Sequence, residues 1–563
     1  MIDRTQPWYW LNSNSKLFLE RGYLGKNQTT EERVRCIAQT AESLLEEPGF
    51  ADELFDYIAR GWVSLASPVW SNFGTDKGLP ISCFGSYLAD DIANILYSQA
   101  EVGMMSKYGG GTTAYFGALR PRGATITNNG QSSGPVHFMQ LFETILDVVS
   151  QGAVRRGTFS AYLPVTHPDI MEFLDIGSEG NPIQKMTYAV TVPDEWLEAM
   201  QAGDEEKRTI WAKVIQRRRE LGYPYILFTD TANRETVDVY KDTAQVIVTS
   251  NACSEIMLPN TPTSSFVCCL SSLNLLHFDE WKDTNLVATM IKFLDAVMTE
   301  FIQKLEHLRD SDSPEDRQAF TFMERAYTFA KEHRALGLGV LGWHSYLQSH
   351  LIDFASPEAG KKNLEIFKDI RKKADQASAT LAKRYGEPAI LKGYGRRNTT
   401  LMAIAPTTSS GFILGQVSQG IEPVWSNCYV KDLAKAKVTV KNPFLENLLE
   451  KKGLNTKEVW RSIRDNDGSV LHLSQLSDHE RSVFRTFAEI DQTNIIEQAA
   501  VRQRYIDQGQ SLNITVPPAT PVKAINQLYL QAWKQGVKSL YYQHSKNAAQ
   551  QLNRDKLCRS CEG

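Results

Sequence analysis

Met186-Thr187-Tyr188-Ala189-Val190-Thr191-Val192 is the stretch that decides the fold. β-Branched and aromatic residues dominate it, and such residues fit a pleated, half-buried surface. Its surroundings alternate in kind. Residues 138–149 repeat apolar side chains at helical spacing, residues 225–228 read as a second strand, and residues 286–302 read as a long helix. Further strands are expected at 400–405, 512–516 and 537–542. Strands interleaved with long helices over this length predict an α/β fold. Toward the N-terminus, Thr29 and Glu32 form a capping box. Val34, Ile37, Ala38, Ala41, Leu44 and Leu45 then keep helical spacing, and 53–60 continues the helical region.

The 563 residues are 42% hydrophobic, enough for a large core. Sixty-one basic residues face 65 acidic ones without a basic stripe, which argues against direct nucleic-acid binding. No apolar run is long enough to span a bilayer, and the first residues lack the pattern of a signal peptide. A cytoplasmic location is therefore expected. Thiols stay reduced there, so the eight cysteines are not a disulfide scaffold. From about Gln551 the chain carries no core pattern and reads as a mobile tail.

The cysteines divide by context. Cys36 lies on the buried stripe of the first helix and reads as core, and Cys428 reads as structural. Cys558 and Cys561 form a CxxC in the tail. It is half a zinc site without a second half, and on a tail it suits thiol–disulfide exchange better. Cys83, Cys253, Cys268 and Cys269 are not assigned by spacing. In an extended segment Asn251, Cys253 and Glu255 would face one side. That trio fits a nucleophile site, a radical site or a satisfied polar cluster.

The segment Asn251-Ala252-Cys253-Ser254-Glu255-Ile256 resembles the active-site loop of ribonucleotide reductase large subunits. Further matches follow in the family's order: Leu65-Ala66-Ser67-Pro68, Ser82-Cys83, residues 150–157 (SQGAVRRG), Cys268 ahead of LSSLNL at 270–275, APTTSS at 405–410, and Leu540-Tyr541-Tyr542-Gln543. The resemblance implies a ten-stranded α/β barrel with the radical cysteine on a finger loop inside it. It implies three parts: an N-terminal helical region (1–60), the barrel (61–545) and a redox tail (546–563). Cys253 would carry a thiyl radical and remove the 3′-hydrogen of a ribonucleoside diphosphate. Glu255 would act as general base, and Asn251 would hold the sugar hydroxyls. Cys83 and Cys268 would be the reducing pair, renewed by Cys558 and Cys561, with thioredoxin or glutaredoxin as the external reductant. Cys269, facing away from Cys268 in a strand, reads as packing.

The same resemblance places Pro406, Thr407, Thr408, Ser409 and Ser410 at the substrate diphosphate. Hydroxyls and N–H groups at a helix start suit phosphate, although a solvated Ser/Thr turn has the same composition. Ser67, Ser82, Gly110 and Gly111 match other substrate contacts. Tyr541 and Tyr542 match the relay that brings a radical from a separate ferritin-like small subunit. The metal would then sit in that partner, with no cofactor or metal held by this chain. Asp90, Arg120 and Arg155 match contacts to an allosteric dNTP or ATP effector, at a site that many relatives form in a homodimer. The Ser67 motif comes too early to leave room for an N-terminal ATP-cone, so control through such a cone is not expected. A cobalamin-dependent reductase and a non-catalytic nucleotide-binding paralogue are the alternatives. The tyrosine pair argues against the first, and the full set Cys83, Asn251, Cys253, Glu255 and Cys268 argues against the second.

Overall fold

The computed structural model describes residues 4–81, 83–128, 130–149, 157–433 and 436–545. Strands β1 (Cys83–Tyr87), β2 (Gly111–Tyr115), β3 (Thr158–Pro164), β4 (Thr187–Val192) and β5 (Tyr225–Phe228) lie side by side, all parallel. A second parallel set begins with β6 (Phe266–Asn274) and β7 (Leu336–Leu341). From β7 it passes through bridges Leu338–Met402 and Ile404–Gln510. It ends where β8 (Ile514–Thr515) pairs with β10 (Gln543–His544), the continuation of β9 (Ser539–Leu540).

Two antiparallel seams join the halves: β1 against β6, and β5 against β9. Five segments in each half thus follow one another round a closed ten-membered ring, the expected barrel. Closure leaves no open sheet edge in the ring. Helices such as Pro135–Val148 and Leu286–Asp310 connect and cover the strands, as parallel pairing requires.

The N-terminal helix runs Thr30–Leu45, and both halves of the Thr29–Glu32 capping box are present. A second helix, Phe50–Ala59, follows. Cys36 sits half-buried rather than in the core, with its sulfur 3.8 Å from the Gly74 carbonyl oxygen. Cys428 is buried in a satellite cluster with Phe444, Trp460 and Ile463. The strand expected at 400–405 is reduced to single bridges at Met402 and Ile404. Its neighbour supplies a reason: Asp507 accepts the N–H groups of Leu401 and Met402, at 2.9 Å each, in place of part of a ladder.

Residues 249–260 form the loop that matters. Tyr162 of β3 donates to the Asn251 carbonyl at 2.9 Å, Ser539 of β9 to the Ser254 carbonyl at 2.8 Å, and the Gly509 N–H to the Glu255 carbonyl at 2.8 Å. Asn260 donates to the Ser86 carbonyl of β1 at 3.0 Å. Anchors drawn from both halves of the ring place this loop within it.

Candidate active site

Asn251, Cys253 and Glu255 come together through a turn, not through the extended segment expected from sequence. Ser254 adopts φ +65°, and its N–H returns to the Asn251 carbonyl at 3.1 Å. The Asn251 side-chain oxygen accepts the N–H groups of Glu255 (3.0 Å) and Ile256 (3.1 Å). This is the local side-chain-to-backbone bonding that lets Asn compete with a strand. Asn251 therefore builds the turn with one end of its amide. The other end, Nδ2, lies 3.4 Å from the Cys83 sulfur.

Cys83 and Cys268 stand directly opposite each other across the β1–β6 seam. Opposed residues in antiparallel strands have Cα atoms about 4.5–5.5 Å apart, within the span a disulfide bridges. The two lie 185 positions apart in sequence (268 − 83), and only the seam brings them together. Burial, with the neighbouring Cys269 and Cys83 sulfurs, pushes the Cys268 thiol well above its usual value. It therefore stays protonated at neutral pH and has a proton to give. Cys269 points the other way, its sulfur 3.3 Å from the Leu294 carbonyl oxygen of the covering helix, as a packing residue.

Glu255 is buried, and burial pushes its carboxyl up to about 7 against the pull of hydrogen bonds from Asn251 and Ser511. A carboxyl poised near neutral pH is suited to exchanging protons at neutral pH. On the other side of the turn, the Tyr541 hydroxyl lies 3.6 Å from the Cys253 sulfur. Tyr541 and Tyr542 rings are 4.5 Å apart between centroids, and Tyr225 of β5 touches both, at 4.7 and 5.1 Å. The row continues outward through His544 to Trp425, which is exposed.

The remaining expected residues fall in several places. Thr407 takes φ +55° just ahead of the helix Thr408–Ile413, and residues 406–410 are all half-buried. The Thr407 hydroxyl accepts the Gly420 N–H at 2.8 Å. Ser67 opens the helix Ser67–Asn72, with its hydroxyl 3.0 Å from that of Tyr23. Gly111 pairs with Cys83 in the ladder. At Gly110 a Cβ would lie 2.4 Å from the Phe84 ring, so packing alone already demands glycine there. Asp90 and Arg120 pair with each other at 2.7 Å on a half-exposed surface. Ser82, Arg155, Cys558 and Cys561 lie outside the described residues, as does the 546–563 tail.

Sequence reading missed Gln508, Ser511 and Tyr225. Gln508 donates toward the Cys268 sulfur at 3.4 Å and accepts the Met257 N–H at 3.0 Å, tying the Cys83–Cys268 pair to the loop. The signal was present as a polar run, Gln508-Gly509-Gln510-Ser511, set between the apolar Ile506 and Leu512. A polar run buried this way must satisfy itself or a site.

Two family models match the chain: "Ribonucleotide reductase, barrel domain" over 81–207, 204–391 and 389–543, and "Ribonucleotide reductase, all-alpha domain" over 9–78. A putative ribonucleoside-diphosphate reductase large subunit from Frog virus 3 is 35% identical over 88% of each chain. The large subunit from Invertebrate iridescent virus 3 is 31% identical over 94% of this chain and 92% of its own. Among solved structures, the class Id ribonucleotide reductase alpha subunit of Actinobacillus ureae is 56% identical, with a TM-score of 0.90 over 96% of this chain and 98% of its own.

Proposed function

The chain belongs to the ribonucleotide reductase large-subunit family, and from that premise we propose that it reduces ribonucleoside diphosphates with Cys253 as the radical-bearing thiol. One observation carries the reading. The Cys253 turn has an oxidisable tyrosine at its sulfur on one side and, through Asn251, an opposed pair of thiols on the other. Oxidising power and reducing electrons both reach one loop.

The steps balance. A thiyl on Cys253 takes the 3′-hydrogen from the ribose, and Glu255 takes the proton of the 3′-hydroxyl. One thiol of the Cys83–Cys268 pair protonates the departing 2′-hydroxyl, which leaves as water. The pair supplies two electrons and, besides the proton lost in the water, the hydrogen that C2′ gains, and it ends as a disulfide, while Glu255 returns its proton to the 3′-oxygen. Cys253 then returns the hydrogen to the 3′ position and is left as a thiyl for the relay. Tyr541 and Tyr542 carry the radical in from a metal-bearing small subunit. Cys558 and Cys561 re-reduce the disulfide by thiol exchange, and a thioredoxin- or glutaredoxin-type protein re-reduces them. Asn251 orients the sugar, assisted by Ser67, Ser82, Gly110 and Gly111, and the 406–410 segment holds the diphosphate. Asp90, Arg120 and Arg155 receive a nucleoside triphosphate effector in a homodimer, in the cytoplasm.

Turnover of cytidine diphosphate with dithiothreitol tests this. Activity is expected only when a metal-loaded small subunit is added, and Tyr542→Phe should abolish it while substrate still binds. Activity restored by adenosylcobalamin alone, or near-normal turnover by the variant, would contradict the relay.

A further inference from the structure

Ser511 matches no motif used above, yet it touches both working ends of the turn. It is 2% exposed. Its hydroxyl oxygen lies 2.6 Å from the Cys253 carbonyl oxygen and 2.9 Å from Glu255 Oε2. A serine hydroxyl owns one proton, so it donates to one acceptor at a time. An ionised carboxylate is acceptor-only and forms the stronger, charge-assisted bond. With Glu255 ionised, the Ser511 proton belongs to it, and the Cys253 carbonyl lacks that donor. With Glu255 protonated, the carboxyl donates to the Ser511 oxygen, and the hydroxyl proton is released to the Cys253 carbonyl.

We propose that Ser511 is a positioning residue that reports the proton on Glu255 to the backbone of Cys253, holding the sulfur-bearing turn tighter when Glu255 is protonated and looser when it is ionised. The inference rests on the reading of Glu255 as the base. When Glu255 takes the 3′-hydroxyl proton, Ser511 turns from carboxylate to carbonyl. When that proton goes back, Ser511 turns back. No proton is gained or lost by Ser511 over the cycle. The geometry supports a direct link, because Glu255 and Cys253 are two residues apart on one turn and Ser511 spans them from a different segment. That segment is itself fixed to the loop by the Gly509 N–H and the Gln508 side chain.

The titratable groups facing Glu255 are Cys253 on its own loop, Cys268 on β6 and Tyr162 on β3. Burial raises both Cys268 and Tyr162, so they remain neutral beside it. The Lys538 amine, lowered by burial to about 7, is turned to the carbonyls of Glu235, Asp507 and Gln508. Asn251 and Ser511 are then the side-chain donors that favour the carboxylate.

The test is an infrared titration of the carboxyl in the full chain labelled with carboxyl-¹³C glutamate, with Glu255→Gln assigning the band. Loss of a hydrogen bond to a charged group should move the Ser511→Ala midpoint about one pH unit higher, while Ser511→Thr titrates as the parent. With the small subunit added, Ser511→Ala should lose about tenfold or more in kcat with KM within about twofold, and Ser511→Thr should keep both. A Ser511→Ala midpoint equal to the parent's, or a Ser511→Thr shift as large as that of alanine, would overturn the proposal. Should Ser511→Ala not fold, Ser511→Cys, similar in size and a weak donor, is expected to shift the same way, and an unshifted band again overturns it. Turnover that survives Glu255→Gln would refute the base reading instead, and the infrared shift would still decide the hydrogen bond.

Discussion

At the scale of the residue, Glu255 makes the sharpest claim. Burial raises its carboxyl from 4.5 to about 7. Catalysis as a base needs the ionised form, so kcat/KM should climb with pH to a plateau above about 7. Stability should run the other way. A carboxyl raised by folding favours the fold below its unfolded value, and that advantage is lost as pH rises through about 7. Glu255→Gln escapes the loss, which amounts to about 3 kcal/mol at the full shift. Melting compared at pH 5 and pH 8 should show the variant gaining on the parent at the higher pH; an equal offset at both values would count against a buried, raised carboxyl. The identity of this residue was legible in the sequence through its neighbours Asn251 and Cys253. The turn that assembles them was not, because the positive φ at Ser254 and the amide bonds of Asn251 are enforced by packing from Tyr162, Ser539 and Gly509.

At the scale of the element, the β1–β6 seam is what makes Cys83 and Cys268 a pair. Gly85 faces Phe266 in that ladder, and a Cβ on it would lie 2.1 Å from the Phe266 ring. Gly85→Ala should therefore cost about 1–3 kcal/mol or more through overpacking. Melting temperature and turnover should fall together, because the forced shift acts two residues from Cys83. A variant with parental melting and activity would show the seam to be more yielding than its packing implies. Elements of this kind were the hardest to read. MTYAVTV at 186–192 was legible as a strand and forms Thr187–Val192. The strands β1, β2, β3, β6 and β7 carry no strand signal in the sequence, and the pleat gives the reason. β6 is buried along all nine of its residues, so no alternation of apolar and polar side chains survives to mark it. Conversely, the periodic helices were plain, and 286–302 extends only a further two turns, to Asp310.

At the scale of the whole molecule, the second half of the barrel and a covering helix share a buried carboxylate. Asp295 of the helix Leu286–Asp310 accepts from Arg334 at 2.8 Å, Arg397 at 2.9 Å and Asn398 at 2.9 Å. Burial raises that carboxyl, but the two guanidiniums more than offset it and hold it below its usual value. Asp295→Ala would leave the buried Arg334 and the part-buried Arg397 without their carboxylate, at a cost of about 3–5 kcal/mol. Unfolding in urea should show the loss, and a midpoint within error of the parent's would contradict it. The barrel itself was legible only through the resemblance, since strand order depends on contacts that no local pattern encodes. What the architecture adds is a reason for two seams: one opposes Cys83 and Cys268, and the other, at β5 and β9, leads straight into Tyr541 and Tyr542. Both converge on Cys253, and that convergence is the central claim. Its most direct test is deoxycytidine diphosphate formation by Cys253→Ser, with saturating small subunit and dithiothreitol. No product above background, with substrate binding retained, is predicted; product at a rate comparable to the parent's would contradict the account.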